Sequence, residues 1–407
     1  MKAKHHPTPG EVRLIKLSKK NIDLRFIEWF IGFVDAEGNF NISLRNYKDN
    51  NYNSLILTFQ IGLHIDDLEV LKFIQRNLGC GKISISKNKC NFFVNDQASL
   101  IYIIMPIFNV VKLKSSKYDQ FLVFEKAINL IKNKEHLKLR GRNEIIKYYQ
   151  EIKNPSPNVE RAIVINKYWL AGFVDGDATF SVRGSRPRLK FENHYKELPL
   201  FKAIIEYFQY GKINISNTRK NRINSNQTVT LEFNNIHFLK NVILPLFLEG
   251  LLNTKKEKDF IKFSILVDIY YYGYHTIAEG ESLAREITSY LNKLSTHSPN
   301  LTSYQDFNEK YKLLSKIPSP YTIKEGVRFY RNTLKLVSDK IKIIAIDHLN
   351  KEFVFSSISE CSRILQLDRA KIKNCLINPC PNHTYGEGQG RGGGIYKIYK
   401  FKFHSHC

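Results

Sequence analysis

A ten-residue apolar stretch occurs twice in this chain, and the duplication constrains the fold more than any other feature. The stretch from Trp29 to Gly38 recurs as the stretch from Trp169 to Ala178, with a tryptophan, a glycine and a Phe-Val-Asp run in the same register. The copies lie 140 residues apart, which is the spacing of domains. We therefore predict a chain built from two related halves.

Both copies carry small residues one helical turn apart: Gly32 with Ala36, and Gly172 with Gly176. Side chains at positions i and i+4 share one face of a helix, and small residues there allow two helix backbones to approach closely. We therefore expect the two copies to form helices that pack on each other. That packing would bring the acids Glu37 and Asp177 side by side at one end of the contact between the two helices, which we call the seam.

Two adjacent carboxylates at the negative ends of two helix dipoles repel each other. A hard divalent cation removes this penalty, and phosphate oxygens can complete its coordination shell. The paired acids therefore predict a metal site that acts on a phosphodiester. The alternative is a pair of core helices that happen to end in surface acids.

The two stretches resemble the signature helices of the LAGLIDADG homing endonucleases in their single-chain, two-repeat form, over about residues 26 to 294. The resemblance implies an intron-encoded, monomeric endonuclease that hydrolyses both strands of a long asymmetric DNA site. It implies Mg²⁺, with Mn²⁺ or Ca²⁺ as substitutes, held by Glu37 and Asp177 and by the backbone carbonyls of Ala36 and Gly176. It also implies cleavage across the minor groove with short 3′ overhangs.

One residue departs from the family pattern. The second copy ends in Ala178, where the family usually has a glycine. Glycine is favoured where a chain leaves a helix in an unusual conformation. The departure predicts a strained exit from the second signature helix, which would lower the activity.

Two lysines occupy matched positions, Lys117 and Lys256, each four residues before a phenylalanine in a long helix. In the family, a lysine at this place reaches the active site from each half. The resemblance thus implies that both lysines stabilise charge at the phosphate or orient water. Gln60 is a further catalytic candidate. At a shifted register the nearest substitutes are Lys114 and Lys255, and the alternative role is that of a solvated lysine at a helix start.

Composition points to a basic globular protein with a polyanionic partner. The 407 residues are 43% hydrophobic, enough for a sizeable core over two or three domains. The formal net charge of +24 predicts a polyanionic partner, and the alternative is a basic surface without a specific partner. The family resemblance implies that this partner is double-stranded DNA, with intron RNA as the alternative. No membrane partner is expected, because no run of about 18 apolar residues occurs. A bias towards Asn, Lys, Ile and Tyr suggests an A·T-rich mitochondrial or other organellar gene, and no secretory signal is expected, because the first 25 residues are basic and polar.

Apolar periodicity predicts the same order of elements in both halves. In the first, residues 39–45 and 54–64 alternate as half-buried strands do, and a helical period follows over residues 66–78 up to Gly79. Further elements are expected at residues 81–87, 91–95, 100–104 and 118–132. The second half lacks about ten residues in its first hairpin and nearly regains them in the loop of residues 218–227. The fold class is therefore α+β, with two pseudo-symmetric αββαββα repeats that, by resemblance, form a DNA-binding saddle.

The outward faces of the strands carry side chains of the types that hydrogen-bond to base edges in the major groove. The alternative is that any half-exposed sheet has a polar outer face. In the first half the DNA-binding candidates are Asn41, Ser43, Arg45, Thr58, Gln60, Lys82, Ser84 and Ser86. In the second half they are Ser181, Arg183, Arg188, Lys190, Glu192, His194, Lys212, Asn214, Ser216, Thr228 and Thr230.

The C-terminal tail reads as a small α/β unit. A strand pair is expected at residues 341–347 and 352–355, followed by a helix opened by a capping box at Ser357 and a short basic helix capped by Asp368. Two short helices with a tight turn resemble the helix-turn-helix repeats appended to some intron-encoded nucleases. The DNA-binding candidates of this helix-turn-helix-like segment are Arg369, Lys371, Lys373 and Asn374. The alternative is a helical hairpin that packs on the core.

The predicted domain boundaries follow from these patterns. They are an N-terminal extension (1–25), a first repeat (26–152), a linker (153–162), a second repeat (163–295), a basic connector (296–340) that is helical over 321–336, and the tail (341–407). The extension is either a flexible arm or a remnant of an upstream reading frame. The six cysteines are expected to be free thiols. A zinc site is the alternative for Cys375, Cys380, His383, His404, His406 and Cys407.

Two other functions remain compatible with the sequence. An intron RNA maturase, which stabilises a folded intron without cleaving, shares the same signature helices. A cleavage-inactive, sequence-specific DNA-binding protein would keep the polar faces and the charge. Salt titration of duplex DNA against structured RNA, and a cleavage assay with Mg²⁺ or Mn²⁺, distinguish the three.

Overall fold

A computed structural model of the chain describes most of its residues, in these ranges: 14–17, 20–48, 52–157, 162–184, 186–216, 227–291, 304–324, 326–338, 342–347, 349–377 and 399–403. It divides into two compact units. The first comprises residues 1–267 and 285–308, and the second comprises residues 268–284 and 309–407. The domain boundaries proposed from the sequence remain predictions.

The first repeat follows a short antiparallel hairpin of β1 (Leu14–Leu17) and β2 (Lys20–Asp23), which the sequence analysis did not predict. Its elements are α1 (Leu24–Glu37), β3 (Gly38–Arg45), β4 (Ser54–His64), α2 (Leu68–Leu78), β5 (Lys82–Ser86), β6 (Lys89–Val94), α3 (Gln97–Ser99), α4 (Met105–Val110), α5 (Lys117–Lys132) and α6 (Leu139–Glu151). A π-helical turn, Leu100–Ile104, joins α3 to α4. The 3₁₀ turns Ile65–Asp67 and Glu135–Leu137 precede α2 and α6.

The second repeat has the same order of elements. They are α7 (Lys167–Asp177), β7 (Ala178–Val182), β8 (Pro187–His194), α8 (Leu198–Phe208), β9 (Lys212–Ile215), β10 (Thr228–Phe233), α9 (Ile236–Phe238), α10 (Leu244–Leu248), α11 (Lys256–Tyr271) and α12 (Ala278–Tyr290). The π-helical turn Leu239–Ile243 and the 3₁₀ turns Tyr195–Glu197 and Tyr274–Thr276 recur at the matching places. The predicted αββαββα order is confirmed, and α6 and α12 extend each repeat by one helix.

Each repeat contains a four-stranded antiparallel sheet with the strand order β3-β4-β6-β5 or β7-β8-β10-β9. Alternation decides which face is buried: Phe40 and Ile42 of β3 are buried, while their neighbours on the strand are partly exposed. Phe40 packs against Phe108, Phe121 and Phe124 from the helices behind the sheet. The sheets therefore present a polar face away from an aromatic core.

The structure confirms the shortened hairpin of the second repeat. Strands β3 and β4 are joined by residues 46–53, whereas β7 and β8 are joined by residues 183–186 only. The loop of residues 218–227, where the missing length was expected to return, lies largely outside the described residues. The predicted cap of α2 is confirmed, because Gly79 adopts a left-handed conformation with φ of 70°.

The connector differs from its prediction. Residues 321–336 are not helical: β11 (Tyr321–Lys324) and β12 (Val327–Tyr330) form a hairpin after α13 (Tyr304–Leu314). Val327 and Phe329 are buried on one side, and Gly326 supplies the positive φ of 76° at the turn. Aromatic and β-branched residues with this spacing favour a strand over a helix, and the abundance of basic residues obscured that pattern.

The tail has the predicted elements. β13 (Ile343–Asp347) lies between β14 (Glu352–Phe355) and β15 (Tyr399–Phe403) in an antiparallel sheet, and α14 (Ile358–Leu365) and α15 (Arg369–Ile377) pack together. Ser357 Oγ accepts from Glu360 N at 3.1 Å and Asp368 Oδ1 accepts from Lys371 N at 2.9 Å, so both predicted caps are formed. No helix among the described residues is both long and apolar enough to cross a bilayer.

Candidate active site and nucleic-acid interface

The two signature helices, α1 and α7, pack backbone to backbone through their glycines. A Cβ atom built on Gly32 would lie 1.9 Å from the carbonyl oxygen of Trp169, and one built on Gly172 would lie 1.9 Å from that of Trp29. A Cβ on Gly176 would lie 2.1 Å from Ala36 Cβ. The close seam predicted from the small residues is therefore present, and it leaves no room for a side chain at either glycine.

The acids Glu37 and Asp177 end the two helices at this seam. Glu37 Cγ lies 3.2 Å from the Cβ position of Gly176, the residue before Asp177. Burial raises the pKa of Asp177 to about 7; the Lys117 ammonium opposes the shift and the Glu37 charge adds to it. The structure thus brings together the two carboxylates that the sequence paired, in surroundings that disfavour the second negative charge.

Lys117 and Lys256 reach the seam from the start of α5 and α11. Lys117 Nζ donates to the carbonyl oxygen of Ala36 and, at 3.4 Å, to that of Val34. Lys256 Nζ donates to the carbonyl oxygen of Gly176 and, at 3.1 Å, to that of Val174. Burial lowers the pKa of both lysines, and the carboxylates around them oppose that shift. Each lysine ammonium group therefore lies beside the acidic residue that ends one of the two signature helices.

Two further carboxylates, Asp35 and Asp175, fasten the helices to each other. The indole Nε1 of Trp169 donates to Asp35 Oδ2 at 2.7 Å, and that of Trp29 donates to Asp175 Oδ2 at 2.9 Å. Both acids are at least 96% buried, and burial raises the pKa of Asp175 to about 6 against the hydrogen bonds that it accepts. Each tryptophan is thus bonded across the seam to the acid of the other repeat.

The same two acids also bind the turns that carry the lysines. Asp35 accepts from the backbone N–H groups of Lys114 and Ser115 at 2.8 to 3.0 Å. Asp175 accepts from Asn253 N at 2.8 Å and from Thr254 N at 3.2 Å. The turns before α5 and α11 are therefore anchored to the seam in both repeats.

Among the described residues, a side-chain amide bonds to Asp177 and none bonds to Glu37. Asn193 Nδ2 donates to Asp177 Oδ2 at 2.8 Å, from the end of β8. The matching position at the end of β4 is Leu63, which cannot donate such a bond. This asymmetry separates the surroundings of Asp177 from those of Glu37.

The oxygen atoms at the seam form a donor set that suits a hard divalent cation. It consists of the carboxylates of Glu37 and Asp177 and the backbone carbonyls of Ala36 and Gly176. No group of three or more His, Cys, Asp or Glu side chains placed to hold a metal occurs among the described residues. A cation here would therefore need further oxygen ligands from water or a phosphate. The zinc alternative for the tail rests on residues that, apart from Cys375, lie outside the described ranges.

The DNA-binding candidates of the first repeat lie on the outer face of its sheet. Asn41 pairs in register with Thr58, and Lys82 and Gln60 both pair with Phe93, so these side chains share the face opposite the core. Gln60 therefore lies on this face, and no hydrogen bond among the described residues joins its side chain to Glu37 or Asp177. The other candidates on the face are Ser43, Arg45, Ser84 and Ser86, and the sequence analysis missed Phe93, Asn91 and Lys89 beside them.

The second sheet presents a more basic outer face. Arg188 pairs with Ser181 and donates to Glu232 at 3.1 Å, and a concave surface beside it is lined by arginines and lysines. The candidates on this face are Ser181, Arg188, Lys190, Glu192, His194, Lys212, Asn214, Thr228 and Thr230, with Arg183 and Ser216 at the strand ends. Thr179, Arg186 and Glu232, which were not predicted from the sequence, lie on or beside the same face.

In the tail, the basic side of α15 faces solvent. Ile372 and Leu376 are buried, whereas Arg369, Lys371 and Asn374 are exposed and Lys373 is half-buried. The predicted short basic helix is therefore present, with Ile372 and Leu376 on its buried side. The DNA-binding role of these residues stays a prediction.

Several residues at the seam were not found from the sequence, namely Asp35, Asp175, Asp67, Glu197 and Asn193. A usable signal was present for four of them. Asp35 and Asp175 recur 140 residues apart inside the duplicated stretch, and Asp67 and Glu197 recur 130 residues apart in the turns before α2 and α8. Asn193 has no matching partner, so the duplication could not reveal it.

The strain expected at Ala178 is absent. Ala178 has φ of −82° and ψ of 153°, and Gly38 has φ of −71° and ψ of 156°, so both helices exit into ordinary extended backbone. The same bond closes each helix, from the N–H of the exit residue to the carbonyl of Val34 or Val174. The exit from α7 therefore does not require glycine.

Comparison with known proteins agrees with the geometry of the seam. The family model for LAGLIDADG endonucleases matches residues 30–128 and 170–267, the two repeats. A "Probable intron-encoded endonuclease 3" of Neurospora crassa is 28% identical over 57% of this chain, which spans about half (48%) of that relative. An "Uncharacterized mitochondrial protein RF1" of Saccharomyces cerevisiae is 25% identical over 83% of this chain and 72% of its own length.

A solved structure shows the same fold. The LAGLIDADG homing endonuclease I-GzeII, in complex with its DNA target, aligns with a TM-score of 0.58 and 25% identity over 65% of this chain and 98% of its own. The family resemblance and the α+β two-repeat fold predicted from the sequence are confirmed. The chain therefore belongs, through both of its repeats, to the LAGLIDADG endonuclease family.

Proposed function

We propose that this protein is a homing endonuclease that cleaves both strands of a long, asymmetric DNA site with the help of divalent cations. The observation that carries the proposal is the seam itself. Two acids, Glu37 and Asp177, end adjacent helices there, and two half-buried lysines approach the same helix ends. Asp35 and Asp175 already hold the helices together, so a purely structural seam has no use for four further charged groups at one end, because each of them costs desolvation free energy.

A divalent cation, most suitably Mg²⁺, fits the seam because all the available donors are oxygen atoms. Glu37 and Asp177 would supply carboxylates, and Ala36 and Gly176 would supply backbone carbonyls. When bound, such a cation supplies Lewis-acid stabilisation of the phosphate and lowers the pKa of water. The raised pKa of Asp177 supports this reading, since burial raises it more than the Lys117 and Lys256 charges lower it, and the neighbouring negative charge of Glu37 raises it further.

Lys117 and Lys256 would act on the phosphate from opposite sides of the seam. Their ammonium groups donate to the carbonyl oxygens of Ala36 and Gly176, beside the acids. A positive charge fixed there by hydrogen bonds can stabilise the negative charge that develops on the non-bridging phosphate oxygens and on the leaving 3′ oxygen when water attacks and the P–O3′ bond breaks. Because each lysine belongs to one repeat, each would serve one strand.

The outer faces of the two sheets would lie in the major groove on either side of the cleavage site. Their amide, hydroxyl and guanidinium groups pair with base edges, and the net charge of +24 favours the phosphate backbone. We further propose that Arg369, Lys371, Lys373 and Asn374 of α15 contact DNA flanking the site. The mitochondrial relative among the similar proteins supports an organellar intron as the source of the gene.

The test is cleavage of a site selected from a randomised duplex pool. Wild-type protein with Mg²⁺ is expected to cut both strands of the selected site. The double variant Glu37→Gln and Asp177→Asn keeps the size of both side chains and removes both charges, so it should bind the site with similar affinity and leave it intact. Substituting Gln97, which begins α3 away from the seam, by Glu is the matched control.

Two outcomes would contradict the proposal. Mg²⁺-dependent nicking that persists in the double variant would remove Glu37 and Asp177 from the chemistry. Tight, specific duplex binding without any product from wild-type protein in Mg²⁺ or Mn²⁺ would favour a cleavage-inactive binding protein. A structured intron RNA should be included in the binding assay at matched salt, since preference for RNA would favour a maturase.

A further inference from the structure

Two acids at helix starts reach across the seam instead of capping their own helices. Asp67 occupies the N-cap position of α2 and Glu197 that of α8, yet neither side chain bonds an N–H group of its own helix. An aspartate at this position usually does so, because the first N–H groups of a helix lack partners. These carboxylates are therefore used elsewhere.

Glu197 binds the turn that precedes Lys117. Both of its carboxylate oxygens lie 3.1 Å from Ser116 N, and Ser116 Oγ donates to Glu197 Oε1. Glu197 is only 6% exposed. The acid belongs to the second repeat and the turn to the first, so the contact crosses the seam.

Asp67 of the first repeat makes the equivalent contact with the turn of the second repeat. Asp67 Oδ1 accepts from Lys255 N at 3.1 Å, and Asp67 Oδ2 lies 3.3 Å from Lys255 Nζ. Lys255 directly precedes Lys256 in the turn of the second repeat. Asp67 belongs to the first repeat, so each repeat sends one acid to the lysine turn of the other.

The two contacts complete a pattern of three successive backbone N–H groups. In the first turn, the N–H groups of Lys114 and Ser115 bond to Asp35 and that of Ser116 bonds to Glu197. In the second turn, those of Asn253 and Thr254 bond to Asp175 and that of Lys255 bonds to Asp67. Each lysine thus starts its helix from a turn whose N–H groups are fixed by one acid of its own repeat and one acid of the other.

We propose that Glu197 and Asp67 are positioning residues that set Lys117 and Lys256, respectively, for strand cleavage. The inference deepens the proposed function and rests on it. Its consequence is that neither repeat places its own lysine alone: the half of the site that uses Lys117 depends on Glu197 of the second repeat, and the other half depends on Asp67 of the first. Assembly of the seam and placement of both lysines become one event.

The experiment measures the nicking rate of each strand separately, in single turnover, on a duplex with a different label on each strand. Lys117→Met and Lys256→Met first define which strand depends on which lysine. Glu197→Gln is then expected to slow the strand that Lys117→Met slows, and Asp67→Asn the strand that Lys256→Met slows. Displacement of a catalytic group by about 1 Å can cost about a hundredfold in rate, so a loss of tenfold to a hundredfold is expected.

Two further measurements distinguish a positioning role from a general loss of stability. They are the activity of acid-for-acid substitutions and the hydrogen exchange of backbone N–H groups. The two repeats use Glu and Asp for the same contact, so Glu197→Asp and Asp67→Glu should retain more activity than the amide variants. Hydrogen exchange followed by mass spectrometry should show faster exchange in the peptide that contains Ser116 in Glu197→Gln, and in the peptide that contains Lys255 in Asp67→Asn, without change in α1 or α7.

Equal slowing of both strands by Glu197→Gln, or a strand preference unlike that of Lys117→Met, overturns the inference. Unchanged exchange at the turn of Ser116 overturns it as well. These outcomes differ from a failure of the proposed function, in which wild-type protein cuts neither strand. The exchange measurement needs no cleavage and therefore tests the contact in either case.

Discussion

The two repeats share one framework but differ at the surfaces that would meet DNA. The same hydrogen bonds occur in both halves of the seam. Trp29 and Trp169 each donate to the aspartate of the other repeat, and the N–H groups of both lysine turns donate to Asp35 or Asp175 in the same pattern. Close helix contact tolerates little change, because an added methyl group would meet a backbone oxygen. The duplication has therefore been kept where geometry is most restrictive.

The outer faces of the two sheets and the residues around Glu37 and Asp177 are not restricted by close backbone contact. The first face carries mainly amides and hydroxyls, whereas the second carries Arg183, Arg186 and Arg188 beside the buried Glu232. Asn193 holds Asp177, but Leu63 stands at the matching place near Glu37. Two unlike faces on a like frame suit a DNA site whose halves differ in sequence.

The largest effect is expected where the repeats are most alike, at the glycines of the seam. Gly32→Ala and Gly172→Ala would each place a methyl carbon 1.9 Å from a carbonyl oxygen of the facing helix, so α1 and α7 must move apart. We expect both variants to lose about 3 kcal/mol or more of the free energy of unfolding. Urea denaturation followed by circular dichroism measures this loss.

The matched control for these variants is Gly62→Ala. A Cβ atom on Gly62 would lie 2.7 Å from Asn91 Oδ1, the tip of a side chain that can rotate away, so the expected loss is small. Similar losses for Gly32→Ala and Gly172→Ala would support a symmetric seam. A tolerated substitution at either glycine would show that the helices are not packed backbone to backbone there.

The next effect tests the asymmetry between the two acids. Asn193→Leu gives the second repeat the residue that the first repeat has at this place and removes the 2.8 Å hydrogen bond to Asp177. A hydrogen bond to a charged group contributes about 1.5–3 kcal/mol, so we expect about a tenfold to hundredfold slower nicking of one strand. Single-turnover assays with labelled strands measure the rates.

Leu63→Met, a substitution of similar volume, is the control in the first repeat and should leave both nicking rates within a few-fold of wild type. Equal rates in Asn193→Leu and wild type would mean that the bond from Asn193 does not orient Asp177 for the reaction.

Periodicity and duplication explain what the sequence could predict. Strands β3 and β4, the seam and the positions of Lys117 and Lys256 follow from local patterns that occur twice, so two independent observations support each assignment. The contacts of Glu197 and Asp67 join residues far apart in the chain, and no local pattern encodes them. The hairpin of β11 and β12 was mistaken for a helix because each strand has only four residues, and burial does not alternate along β12.

A smaller effect tests the two helix exits. Gly38→Ala would place a Cβ atom 2.4 Å from Val34 Cγ1 and 2.8 Å from the carbonyl oxygen of Val34, so the valine must shift. Ala178 already has its Cβ and is buried, so Ala178→Gly removes a packed methyl group and frees the unfolded backbone. We expect each variant to be destabilised, by about 1–2 kcal/mol for Gly38→Ala and about 1 kcal/mol for Ala178→Gly.

Thermal unfolding with and without Mg²⁺ measures both changes. If Ala178→Gly stabilised the protein, the exit from α7 would be strained after all, and the ordinary φ and ψ values at Ala178 would not describe its energy. Activity of Ala178→Gly equal to that of wild type is expected, because the backbone of the two exits is already alike.

The smallest effect concerns a histidine that is matched in the two repeats. His275 Nδ1 lies 3.5 Å from the carbonyl oxygen of Ile269, and His136 Nδ1 lies 3.3 Å from that of Leu130. Burial lowers the pKa of His275 below its usual value of 6.5; the bond to Ile269 opposes the shift and Arg328 adds to it. The ring of His275 also lies 4.6 Å from that of Tyr270.

The sign of the pH dependence follows from proton binding. Between the lowered pKa of folded His275 and the pKa of about 6.5 in the unfolded chain, the unfolded state binds a proton that the folded state does not. Stability is therefore fully present above about pH 6.5 and falls as the pH is lowered towards the folded pKa. His275→Gln should make the urea midpoint less dependent on pH below about pH 6.5. His136→Gln, at the matching turn of the first repeat, is the control for the loss of a histidine as such. The contrary result is a wild-type stability that rises as the pH is lowered from 7 to 5, with His275→Gln behaving in the same way. It would show that burial of the His275 ring does not determine how stability changes at acidic pH.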